Sequence, residues 1–228
     1  MLEQQMNIAH LTHIYIQVAY VEKDSKVYSD AVQYDAPWGL ARISHREPLG
    51  FITFTTYKYD ATAGSDVTVY IVDTGINIDH VDFGSRARWG HTVPDNDEDA
   101  DNHGHGTHVA GTAVGTRFGV AKKANVVAVK VLNSEGRGST SDVIKGVEYV
   151  VKSHADEMRR ARKDGRPFKG SVANLSLGGA KSRSLDGAIN AVSVVKSLCA
   201  QTERTCILIS ELRQRTIIRL SLSVFILS

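Results

Sequence analysis

Three short apolar runs, residues 67–72 (VTVYIV), 125–132 (NVVAVKVL) and 171–177 (SVANLSL), read as buried strands, and helical stretches separate them. Residues 105–116 form a small-residue helix in this reading. Val143, Val147, Val150 and Val151 recur at helical spacing in a third element, started by Thr140 or Ser141 as N-cap and ended near Gly165. A short helix is expected over 184–195. Strands alternating with helices in this way build an open parallel sheet with helices on both faces, so the fold class is α/β.

The 228 residues suffice for a single globular domain, and a formal charge of +2 with no dense basic stripe speaks against nucleic acid as a partner. Cys199 and Cys206 are the only cysteines and give no disulfide framework for the main body. The opening MLEQQMNIAH lacks the basic-then-apolar pattern of a secretory signal. The longest apolar stretch, 217–227, is broken by Arg219 and falls short of the roughly 20 residues of a membrane span, so no membrane partner is expected. All nineteen glycines and all four prolines lie between Pro37 and Gly187. From Ser197 onward the sequence has no turn chemistry and no clean period, which sets 197–228 apart as a tail.

Two positions point to chemistry. Asp73 follows the first strand in VDTG, at the strand's carboxyl end, where open α/β sheets gather functional side chains. On its own it reads more readily as an aspartate capping the following turn. His105 lies in HGHGTHVAGT, where flanking glycines admit a close backbone approach and the imidazole can face a carboxylate with one nitrogen and a reacting group with the other. On its own it reads as a solvent-facing or core imidazole.

Taken together, APWGLARIS (36–44), VYIVDTGIN (69–77), NHGHGTHVAGT (102–112), FGVAKKA (118–124) and SVANLSLGG (171–179) resemble subtilisin-like serine proteases, in particular the proteinase K and fungal cerevisin branch. The resemblance covers about residues 36–195 and implies the subtilisin-like open parallel sheet. It makes Asp73 the carboxylate that orients the imidazole and His105 the general base. Gly136, Arg137 and Gly138 match one edge of the family's peptide-binding cleft, and Ser176, Leu177 and Gly178 match the other, where an extended polypeptide substrate adds as a strand. Residues 21–28 (VEKDSKVY) look like the end of an inhibitory propeptide, with maturation between Asp30 and Ala36. The domain reading is therefore a leader over 1–35, the N-terminal part of a subtilisin-like peptidase domain over 36–196, and a non-family tail over 197–228.

The family's nucleophile sits in Gly-Thr-Ser-Met-Ala, and none of the eight serines after Leu177 has that context. The expectation is a C-terminally truncated, inactive member, a monomer whose sheet is incomplete at the C-terminal end. No cofactor is assignable; calcium is bound by many relatives, and its usual ligands fall in the part not matched. Relatives are secreted or vacuolar, and an own propeptide is a partner in full-length ones. Three other readings compete. One is a non-catalytic fragment or peptide-binding remnant. Another is a zinc-dependent hydrolase using His103, His105 and His108, although Thr107 stands where that pattern needs an aspartate. The last is an aspartic protease built on Asp73-Thr74-Gly75, which needs a second copy of a motif that occurs once.

Overall fold

The computed structural model describes residues 30–199 and 223–227. The propeptide-like segment 21–28 and Cys206 lie outside the described residues. In chain order the elements are β1 (Asp30–Gln33), α1 (Trp38–Ile43), β2 (Tyr57–Asp60), β3 (Val67–Asp73), β4 (Ala87–Thr92), α2 (His105–Val114), β5 (Asn125–Lys130), α3 (Thr140–Asp164), β6 (Gly170–Leu175), α4 (Arg183–Cys199) and β7 (Ser223–Leu227).

Five strands make the main sheet in the order β4-β5-β3-β6-β7, and the first four run parallel. The centre is β3, buried from Thr68 to Asp73. Alternate residues of a strand face opposite sides, so a strand apolar at every position must be covered twice. Tyr70 and Val72 pack with Val127 and Val129 of β5, with Val131 just beyond it, and with Val143, Val147 and Val150 of α3. Val69 and Ile71 pack on the other face with Val126, Ala128, Phe83 and the α2 residues Val109, Ala110 and Val114. Helices therefore cover both faces, as the alternation of elements requires.

The long helix α3 begins one residue earlier than the sequence suggests. Ser139, not Thr140 or Ser141, is the N-cap: its hydroxyl accepts from the Asp142 amide at 3.1 Å, and the Asp142 carboxylate accepts from the Ser139 amide at 3.1 Å. This reciprocal box satisfies two amides that the helix cannot pair internally. At the other end the chain leaves through Gly165 at φ 66°, a left-handed conformation suited to glycine.

Four elements escape the sequence pattern. The hairpin strands β1 and β2 pair antiparallel outside the main sheet, so residues assigned to the leader contribute a strand. Helix α1 is short, and β4 is a half-buried edge strand whose register against β5 shifts between Trp89 and His91. The far edge is also unexpected. Strand β7, drawn from the residues set aside as a tail, pairs antiparallel with β6. Among the described residues no helix is long and apolar enough to cross a membrane.

Candidate active site

The carboxyl ends of β5, β3 and β6 lie side by side, because parallel register sets Asp73 beside Lys130 and Ile71 beside Asn174. Asp73 is the last residue of β3 and its side chain is fully buried. A buried carboxylate must be hydrogen-bonded to be tolerated. Its Oδ1 accepts from the Thr74 amide at 2.7 Å and lies 2.7 Å from His105 Nδ1. Its Oδ2 has no hydrogen-bond partner among the described residues.

His105 opens α2, directly after Gly104, whose φ of 91° turns the chain into the helix. The imidazole is 37 % exposed while Asp73 is 0 % exposed. With Nδ1 donating to the carboxylate, the neutral ring carries its free lone pair on Nε2, which is the nitrogen able to take a proton from an incoming group. The backbone around the pair is held from several directions. The Asp73 carbonyl accepts from the amides of Val131 at 2.8 Å and Leu132 at 3.1 Å. Every polar atom of the buried Thr74 is engaged: its carbonyl accepts from Lys130 Nζ at 2.9 Å, and its hydroxyl donates to Asp101 Oδ1 at 2.8 Å while accepting from the Gly106 amide at 2.9 Å.

Asp101 accepts from the amides of His103, Gly104 and Thr107 and from the hydroxyls of Thr74 and Thr107. Burial pushes its carboxyl up, but the hydrogen bonds from Thr107, Gly104 and Thr74 outweigh that and hold it below the usual carboxylate range. Lys130 is 0 % exposed and pairs with Asp97 at 3.4 Å. The sequence pattern singles out neither Thr74 nor Asp101 nor Lys130. A lysine inside the apolar run NVVAVKVL is the one available signal.

A model of the subtilase family, peptidase S8, matches residues 64–210, a span holding both Asp73 and His105. The chain belongs to the subtilase family. This subtilase is 58 % identical over 179 residues to alkaline protease 2 of Aspergillus fumigatus, a match covering 76 % of this chain and 36 % of that protein. It is 57 % identical over 179 residues to the subtilisin-like serine protease Pen c 2 of Penicillium citrinum, covering 76 % and 39 % respectively. The crystal structure of a cold-adapted subtilisin-like serine proteinase superposes with a TM-score of 0.58 at 42 % identity, over 70 % of this chain and 53 % of that one. The chain thus spans little more than a third of the length of the relatives it matches. Family and α/β fold agree with the sequence motifs.

The two candidate substrate edges fall on loops of this subtilase. Residues 136–138 follow β5 in a turn closed by Asn133, whose side chain accepts from the amides of Glu135 and Arg137. The turn adjoins the loop that leads into α2, since a β-carbon on Gly136 would meet His103 Nε2 at 2.9 Å. Strand β6 ends at Leu175, two residues before the expected end, which leaves Ser176, Leu177 and Gly178 in the loop beyond it. There the Ser176 hydroxyl donates to Asn174 Oδ1 at 2.8 Å.

The zinc reading gains no support. His105 Nδ1 faces Asp73, His108 is exposed, and no group of three or more metal-ligating side chains occurs among the described residues. The aspartic-protease reading fails on the fold, because Asp73 ends a strand of a parallel α/β sheet and faces an imidazole, not a second carboxylate.

Proposed function

We propose that this chain supplies the acid–base half of a serine endopeptidase site together with edges of its substrate cleft. The contact that carries this reading is the one of 2.7 Å between Asp73 and His105 at the end of the central strand. Asp73 fixes the tautomer with the proton on Nδ1. His105 Nε2 then takes the proton of a serine hydroxyl as that oxygen attacks the scissile carbonyl, and returns it to the leaving amine. In between, the buried carboxylate stabilises the imidazolium. An extended polypeptide lies along residues 136–138 and 176–178, held by main-chain hydrogen bonds.

None of the eight serines after Leu177 stands in a Gly-Thr-Ser-Met-Ala context. A polypeptide of these 228 residues alone is therefore catalytically silent in this reading. In subtilisin itself, where the cost has been measured by substitution, losing the nucleophile lowers turnover by a factor on the order of 10⁶.

A fluorophosphonate probe tests both halves. The 228-residue polypeptide should stay unlabelled, whereas its fusion to the C-terminal part of the Aspergillus fumigatus relative should be labelled and should lose labelling with His105→Ala. Casein cleavage by the unfused polypeptide, blocked by a serine-directed inhibitor, overturns the silence. Equal labelling of the His105→Ala fusion overturns the acid–base role.

A further inference from the structure

The loop between β4 and α2 is dense in acid, reading DNDEDAD over 95–101, and two of its carboxylates turn inward. Asp97 meets the fully buried Lys130 at 3.4 Å, and Lys130 donates to the Thr74 carbonyl at 2.9 Å. Asp101 grips the Thr74 hydroxyl at 2.8 Å and also takes the amides that open α2. Thr74 is the residue next to Asp73, and its hydroxyl also accepts from the amide of Gly106, the residue next to His105.

A buried ammonium is expensive, and an apolar side chain of similar length fills such a slot at lower cost. Lys130 therefore contributes little that a methionine would not, so far as packing is concerned. What it does contribute is a directed donor on the carbonyl of Thr74. Asp101 in turn is hydrogen-bonded both to Thr74 in the turn after β3 and to the amides of Gly104 and Thr107 at the start of α2.

We propose that Asp101 and Lys130 are positioning residues, which hold Thr74 from opposite sides and so fix the distance between Asp73 and His105. Neither touches the imidazole. This rests on the reading of Asp73 and His105 as the acid–base pair. In that arrangement the strand end and the helix start are separate pieces of chain joined by Thr74, and the loop's inward carboxylates, one through Lys130, set how far apart they sit.

The proton on His105 Nδ1 reports the contact directly, as a far-downfield signal in the proton NMR spectrum of the ¹⁵N-labelled 228-residue protein. The native protein should show it, and Asp73→Asn should remove it. A native protein without the signal overturns the acid–base reading and the positioning inference together. If the signal is present, Asp101→Ala and Lys130→Met should each abolish it or speed its exchange with water about tenfold or more, the scale of one lost charge-assisted hydrogen bond. The sheet amides of residues 126–129 should stay protected. Asp101→Asn, which keeps one acceptor oxygen, should restore part of the protection. A folded Asp101→Ala or Lys130→Met protein with the native signal and native exchange overturns the inference while leaving the acid–base reading intact. If neither variant folds, Asp97→Asn decides: faster exchange supports the inference, and an unchanged signal overturns it.

Discussion

Gly106 backs onto Gly75 so closely that a β-carbon at position 106 would fall 2.1 Å from the Gly75 carbonyl oxygen. The start of α2 thus reaches the turn after β3 only because position 106 has no side chain. Backbone is what stands in the way, so the overlap cannot be relieved by a rotamer change. Gly106→Ala is expected to destabilise the protein by about 1–3 kcal/mol, the usual cost of overpacking. It should also weaken the contact between His105 and Asp73. Gly111→Ala, on the same helix with nothing within 4 Å of the added carbon, is the control. It should be neutral or gain up to about 1 kcal/mol from helix propensity. Urea titrations should lower the midpoint of Gly106→Ala and leave that of Gly111→Ala unchanged or raised; equal losses would contradict the close approach.

At the head of α3, Ser139 and Asp142 each satisfy the other's backbone amide. Ser139→Ala should cost about 1 kcal/mol, and Asp142→Ala somewhat less. The two losses should not add, because each variant already breaks half of a reciprocal pair. Additive losses in a double-mutant cycle would show that the box is not cooperative.

The acid limb of stability should carry a contribution from Asp101. Hydrogen bonds from Thr107, Gly104 and Thr74 overcome the opposing effect of burial and lower its pKa in the folded protein. An aspartate lowered in this way stabilises the fold fully above its unfolded value of about 3.9, and the contribution fades as pH falls toward the lower folded value. Asp101→Asn should therefore show a shallower loss of stability below about pH 4 than the native protein. Parallel curves through that range would remove Asp101 from the acid response.

What the sequence makes legible follows from what a local pattern can encode. The strands β3, β5 and β6 announce themselves because burial on both faces demands unbroken apolar runs. Asp73 and His105 stand out because they sit in short glycine-bearing motifs at the ends of such elements. Strand β4 is invisible for the opposite reason: ARWGHT alternates half-buried and exposed positions at an edge, with a register shift in the middle. Lys130 and Asp101 are hidden by distance, since their partner Thr74 lies 56 and 27 residues away and no local spacing links them. Even the N-cap of α3 shifts by one residue, because Ser139, Thr140 and Ser141 are equally plausible caps until the Asp142 side chain is seen to choose one.

His154 offers a test of how the outer part of the sheet is held. It lies on α3, with Nδ1 3.0 Å from the Ser171 hydroxyl on β6 and its ring against Phe168. Burial lowers its pKa below the ordinary histidine value, because the charged ring would lose its hydration in that setting. The folded protein therefore binds this proton less readily than the unfolded chain does. Stability from this site is complete above the unfolded pKa of about 6.5 and declines as pH falls below it, until the lower folded pKa is reached. One proton sets a limit of about 1.4 kcal/mol per pH unit on that slope. His154→Gln keeps a polar group opposite Ser171 but cannot titrate, so its stability should change less than the native protein's between about pH 6.5 and 5. Because α3 and β6 carry His154 and Ser171, the loss on acidification should appear first as faster amide exchange in β6. Matching pH profiles for the native and His154→Gln proteins would mean that the imidazole already reaches solvent, and that the packing of α3 on β6 is looser than the contact with Ser171 implies.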